Sequence, residues 1–274
     1  VRSFAQELQR IAKLTESRML KLLPKEPNSV AEAMTYSALG KGKRLRPYLV
    51  LASASLVGVP EEEALNTAAS IEFIHTYSLI HDDLPAMDND ELRRGEATCH
   101  IKFGEANAIL AGDALLTIAF EILAEIDTHP DSSIRCQLIS RIAKAIGVSG
   151  MVGGQALDIS NIHLNPDKLL ELYKMKTGEL FAASCEAGAM LGNASTNLRQ
   201  VLKDYAYALG LAFQIRDDFE DLGDGQLNYV TICGEREAQA QLQKFISLAI
   251  ASLAIFDHKA DALRELAYFI ANKT

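Results

Sequence analysis

Apolar residues recur at helical spacing through almost the whole of this chain, and no stretch shows the strict alternation of a half-buried strand. That pattern restricts the chain to an all-α fold. Helices are expected at about 3–22, 29–39, 43–57, 61–83, 104–127, 132–150, 166–190, 195–222, 235–255 and 259–272. Pro24, Pro27, Gly58, Pro60, Pro130, Gly147 and Pro166 fall between these segments or at their ends. No linker, low-complexity tract or fixed-period repeat interrupts them. The 274 residues, 49% hydrophobic, therefore read as one helical-bundle domain over 1–274.

Charge and cysteine usage remove several classes of function. A net charge of −9 argues against nucleic acid or an anionic membrane as partner. Cys99, Cys136, Cys185 and Cys233 are scattered without metal-ligand spacing, so they read as ordinary thiols in a reducing compartment. No apolar run reaches transmembrane length and no signal-peptide pattern opens the chain, so a soluble cytoplasmic protein is expected.

Two acidic clusters carry the chemistry. HDDLPAMDND, residues 81–90, places Asp82, Asp83, Asp88 and Asp90 at the end of a helical segment. On that helix His75 lies about 20° from Asp82 and Ser78 about 40° to the other side, with Phe73, Tyr77 and Ile80 opposite. Pro85 should break the helix; on an unbroken one Asp88 would point about 240° away from Asp82, so the break lets both aim at one place. In LAFQIRDDFEDL, residues 211–222, Asp217, Asp221, Gln214 and Asp218 share a polar arc of about 100° opposite Leu211, Ala212, Ile215 and Phe219. Alone, that arc would be a solvated face. Paired with the first cluster it reads as a set of oxygen ligands for a hard cation such as Mg²⁺, which takes one or two carboxylates plus substrate phosphate. His75 and His81 are expected as hydrogen-bond donors beside the acids.

Basic groups stand in three places. GKGKRLRP (40–47) supplies Lys41, Lys43, Arg44 and Arg46, Arg93 and Arg94 follow the first acid cluster, and KMKTGEL (174–180) supplies Lys176 and Thr177. Planar Arg forks mixed with Lys point charges suit phosphate esters. Metal-bridged phosphate beside directly held phosphate would produce this juxtaposition of acids and arginines.

At these residues the chain resembles the trans-isoprenyl diphosphate synthases, the bacterial farnesyl-forming members in particular. SLIHDDLPAMDNDELRRG and FQIRDDFEDLGD are similar to that family's two aspartate-rich motifs, and GKRLRP, CHIKFGEANAILAGDALL, GGQALD and KTG match other blocks in order. The resemblance implies an all-α bundle of about ten helices around a central cavity, usually a homodimer, with three Mg²⁺ ions per site. It implies that Asp82 and Asp88, supported by Asp83, hold Mg²⁺ on the allylic diphosphate. Asp217 would hold a third ion, with Asp218 and Asp221 acting directly or through water. Arg93, Lys176 and Gln214 would contact the allylic substrate. Helix carbonyls near Lys176 and Thr177, with the Gln214 amide, would steady a carbocation. Lys43, Arg46, His75 and Arg94 would bind isopentenyl diphosphate, with Asp158 in support. Tyr77 and Ser78, before the first motif, would set product length, and an aromatic at 77 goes with short products.

One departure stands out. The family follows its second motif with a glycine- and lysine-containing loop and a Lys-x-Thr-Tyr stretch, whereas here DLGDG runs almost directly into QLNYVTICGE. With the start at Val1 and the short region between Asp158 and Asn165, this points to a segment missing from the chain. A geranylgeranyl or geranyl diphosphate synthase, a non-catalytic synthase subunit, a terpene cyclase and a plain helical interaction module remain the alternatives.

Overall fold

Ser3 opens the first helix with a reciprocal cap: its hydroxyl accepts from the Gln6 amide, and the Gln6 side chain accepts from the Ser3 N–H. The computed structural model describes residues 3–160, 165–221 and 228–272. Helix α1 (Phe4–Leu22) is followed by α2 (Ser29–Ala38), capped by Asn28, then α3 (Leu45–Leu56) and α4 (Glu61–Asp82). Glu61, Glu62 and Glu63 occupy the first turn of α4, where the positive end of the helix dipole favours them. Next come β1 (Leu92–Arg93), β2 (Glu96–Ala97), α5 (Cys99–Phe103), α6 (Glu105–Ala124) and α7 (Ser132–Ile146). Beyond these lie α8 (Met151–Ile159), α9 (Pro166–Tyr173), a π-turn (Lys174–Gly178), α10 (Glu179–Leu191) and α11 (Thr196–Glu220). The remainder is α12 (Tyr229–Cys233), α13 (Glu235–Ser252), a 3₁₀ segment (Leu253–Ala260) and α14 (Asp261–Ala271).

The chain forms two compact units, the first of Val1–Leu51 and Glu61–Ile139, the second of Ala52–Pro60 and Ser140–Thr274. In the first, α4 packs against α6, α1 and α2. Every residue of α4 from Ala64 to Ile74 is buried, and each large apolar side chain so buried contributes about 1.5–3 kcal/mol. In the second, α11 packs on α10 and α13. Helix α10 is buried from Leu180 to Leu191.

The all-α expectation holds, with four local differences. Two-residue strands β1 and β2 form an antiparallel hairpin that is too short to show alternation. Its turn is made by Arg94 (φ 55°) and Gly95 (φ 79°), both left-handed, as a tight two-residue hairpin requires. The helix expected over 132–150 stops at Ile146, and α8 begins at Met151 after two glycines. The helix expected over 166–190 is interrupted by the π-turn. Finally, α6 and the stretch Glu235–Ala271 are long and apolar enough, by length and composition, to cross a membrane, where no such run was expected. Ala108, Ala111, Gly112, Leu115 and Ala119 of α6 are buried, and the second stretch breaks at Asp257 (φ 47°). The expected departure after the second motif falls on residues 222–227, and most of the short region before Asn165 on 161–164, both outside the described residues.

Candidate active site

Helix α4 ends at Asp82, one residue before the second Asp of the first motif. Pro85 cannot donate to the helix ladder, and the chain folds back through Leu84–Met87 so that the Asp88 N–H donates to the Asp82 carbonyl at 2.9 Å. Asp82 is half-buried and Asp88 exposed, and the backbone bond ties them together. Asp83 goes the other way: its carboxylate is buried and Oδ1 accepts from Arg93 Nε at 2.7 Å and pairs with Nη2 of the same guanidinium at 2.5 Å. Burial pushes the Asp83 acid upward while the Arg93 hydrogen bond and charge oppose it.

The second motif repeats this division. Helix α11 ends at Glu220, and the Asp221 N–H donates to the Asp217 carbonyl at 3.1 Å. Asp218 is buried, accepting from the Tyr173 hydroxyl at 2.7 Å and the Tyr229 N–H at 2.9 Å. Burial pushes its pKa up to about 6, against those two hydrogen bonds. The amphipathic reading placed Asp218 on the polar arc with Asp217. Tyr173 and Tyr229, remote in sequence, supply donors that make its burial tolerable.

Each motif thus sets two outward carboxylates at a helix C-terminus, where the helix dipole is already negative. A cation is the group that such a site stabilises. No cluster of three or more His, Cys, Asp or Glu able to hold a metal occurs among the described residues. Oxygen-only donors, two at a time, suit Mg²⁺, which completes its shell with water and phosphate oxygens.

A cationic site adjoins the first motif within the same unit. His75 is pushed well below 6.5 by burial, with Arg46, Arg94, Arg44 and Arg93 adding to the effect. Of these, Arg44 is neutralised in place. Its guanidinium pairs with Glu72 at 3.0 Å and Glu16 at 3.1 Å and donates to the Ala38 and Gly40 carbonyls. Arg94 donates to the Lys41 carbonyl, which fixes the loop before α3. Lys43 is exposed, and the Ser78 hydroxyl donates to the His75 carbonyl at 2.9 Å. Tyr77 is 7% exposed and meets the His81 ring edge-to-face at 5.7 Å. Burial and Asp82 raise its phenol to about 12.

The His75 shift gives a testable sign. A base with a depressed folded pKa binds protons less readily than it does in the unfolded chain. Its stability contribution is therefore complete above pH 6.5 and lost as pH falls below that value. His75→Gln is expected to lose less Tm than the unsubstituted protein on acidification. Parallel Tm–pH curves for the two proteins would contradict this.

In the second unit the π-turn carries Lys176 and Thr177. Lys176 Nζ lies 2.5 Å from Asp158, and the Thr177 hydroxyl donates to Gln214 Oε1 at 2.9 Å. Insertions of this kind are common at functional sites because they free a carbonyl and re-aim side chains. Sequence reading missed Gly154 and Gly210, which make the turn possible. A Cβ on Gly154 would lie 2.5 Å from the Lys176 backbone nitrogen, and one on Gly210 would lie 3.0 Å from the Gly178 Cα. The available signal was glycine inside otherwise helical segments, which marks close backbone approach.

Residues 27–230 match the family described as Polyprenyl synthetase. The farnesyl diphosphate synthase of Escherichia coli is 42% identical, covering 98% of this chain and 99% of that protein. That alignment spans 295 positions, more than the 274 residues here, so the relative carries residues without counterpart in this chain. The geranylgeranyl diphosphate synthase of Cyanophora paradoxa is 39% identical over 95% of this chain and 93% of its own length. The crystal structure of an FPP/GFPP synthase from Zymomonas mobilis superposes with a TM-score of 0.93 at 42% identity, covering 98% of this chain and 99% of that one. The paired aspartate motifs, the arginine-ringed histidine and these full-length likenesses place the chain in the polyprenyl synthetase family.

Proposed function

We propose that this protein is a Mg²⁺-dependent prenyltransferase that joins isopentenyl diphosphate to an allylic diphosphate, dimethylallyl and then geranyl, to make farnesyl diphosphate. The observation that carries the reading is the pair of backbone-tied carboxylates at the end of α4, in the same unit as the arginines around His75. Asp82 and Asp88 would hold Mg²⁺ in the first unit, and Asp217 and Asp221 in the second. The chemistry a Mg²⁺ ion would supply there is positive charge to offset the negative charge gathering on a departing diphosphate. Asp83 and Asp218 stand next to those ligands in sequence and are themselves held by Arg93 and by Tyr173.

Lys43, Arg46 and Arg94 hold the second diphosphate by charge and by guanidinium forks, and neutral His75 donates a ring N–H to it. Lys176, kept in place by Asp158, and Arg93 contact the allylic group. Backbone carbonyls near Lys176 and Thr177, with the Gln214 amide that accepts from the Thr177 hydroxyl, would steady a nearby cation. Incubation with Mg²⁺, isopentenyl diphosphate and each allylic primer should yield a fifteen-carbon product, abolished by chelation. No condensation with any primer would leave a binding or interaction role instead.

Relatives that make geranylgeranyl diphosphate favour a longer product as the second reading. Tyr77 favours the shorter one. It stands five residues before Asp82, about 7–8 Å along α4, and its ring is buried there. Tyr77→Ala is expected to lengthen the product by one or more isoprene units, at a stability cost of about 3 kcal/mol. An unchanged product profile in the folded variant would remove Tyr77 from that role.

We propose a cytoplasmic homodimer. Ile101 of α5 and Ile109 and Leu110 of α6 leave apolar side chains exposed on one unit, a surface suited to a second copy. Sedimentation of the purified protein tests this.

A further inference from the structure

Tyr207, which enters none of the roles above, grips both residues that close the π-turn. The Glu179 N–H donates to the Lys174 carbonyl, the long-range bond that distinguishes this turn from an α-helical one. From α11, the Tyr207 hydroxyl donates to Glu179 Oε1 at 2.5 Å, and the Lys174 ammonium stands 4.6 Å from the Tyr207 ring centroid. Between them, a Cβ on Gly178 would already touch Cδ1 of the ring at 3.4 Å. Arg141 holds Glu179 from its other side at 3.4 Å, and Lys203 also lies over the ring at 5.7 Å.

The contact continues a row along α11. Tyr207, Gly210, Gln214 and Asp218 are three or four residues apart and share one face. In that order they meet Lys174 with Glu179, then Gly178, Thr177 and Tyr173. A π-turn can relapse into regular helix by shifting one residue, which would turn Thr177 away from Gln214. Tyr207 opposes that shift by holding the two residues whose bond would be lost.

We propose that Tyr207 is a positioning residue that fixes the π-turn, and through it sets Lys176 and Thr177 for the allylic half of the reaction. The inference rests on the function proposed above, so its test includes a readout independent of that function. Amide hydrogen exchange at residues 174–179 should speed up in Tyr207→Leu and, to a smaller extent, in Tyr207→Phe, which keeps the ring and loses the hydroxyl. Tyr207→Leu should lower kcat about tenfold with KM for isopentenyl diphosphate within about twofold, and Tyr207→Phe about threefold. Glu179→Gln, which retains an acceptor for the Tyr207 hydroxyl, should keep exchange at 174–179 close to that of the unsubstituted protein and stay within about twofold in kcat.

Unchanged exchange at 174–179 in both Tyr207 variants would overturn the proposal. So would a kcat within twofold of normal in a folded Tyr207→Leu, or a fall in Tm accompanied by equal rises in both KM values. If the unsubstituted protein condenses no substrates, the assigned reaction fails, and the exchange measurement still decides whether Tyr207 holds the turn.

Discussion

Asp82→Asn is expected to slow condensation by about a thousandfold while leaving the protein within about 1 kcal/mol of its original stability, or above it. Both halves follow from the position of Asp82. It ends α4, where the helix dipole is negative, and it is tied by backbone to a second carboxylate, Asp88. Removing one negative charge there relieves repulsion at the helix end, which offsets the attraction to Arg93 lost with it, and removes a ligand from the loaded protein. A residue retained for folding would show the reverse, with Tm falling and the surviving folded fraction active. Asp217→Asn should behave alike, since Asp221 and the end of α11 repeat the arrangement. Thermal melts without metal, set beside steady-state rates with Mg²⁺, check the prediction. A tenfold or smaller loss of rate would remove Asp82 from the metal site.

Gly154→Ala is expected to damage both stability and turnover. Its new Cβ would lie 2.5 Å from the Lys176 nitrogen and 2.8 Å from the Lys176 Cα, and these backbone atoms cannot rotate aside as the end of a side chain could. Either α8 or the π-turn must move. Overpacking of this kind costs about 1–3 kcal/mol. A displacement approaching 1 Å at Lys176 and Thr177 should lower kcat by about ten- to a hundredfold. KM for isopentenyl diphosphate should change little, because Arg46, His75 and Arg94 belong to the other unit. Melting temperature and the two kinetic constants together test this, and a normal kcat would show that the Lys176 placement is not critical.

Much of this protein was legible in its residues. Helical periodicity identified the fold class, and Pro85 correctly located the break that brings Asp88 back to Asp82, because a missing N–H acts locally. The GKRLRP and ArgArg stretches marked the cationic region by composition. What could not be read were features that depend on a partner far along the chain. The π-turn needs Gly210 and Tyr207 of α11 behind it, and nothing within KMKTG distinguishes it from an ordinary helix. Composition alone does not separate Arg44 from Lys43 and Arg46, and it is Glu16 and Glu72, distant in sequence, that neutralise it.

The acids show the same boundary most clearly. Sequence alone determined that two clusters of carboxylates end two helices and that their density calls for cations. Only the tertiary structure decided which acid of each Asp-Asp pair turns outward. Neighbours on a helix point about 100° apart, so one of the two must face the interior or its edge. Whether it can remain there as an acid depends on donors brought from elsewhere: Arg93 for Asp83, and Tyr173 with the Tyr229 N–H for Asp218.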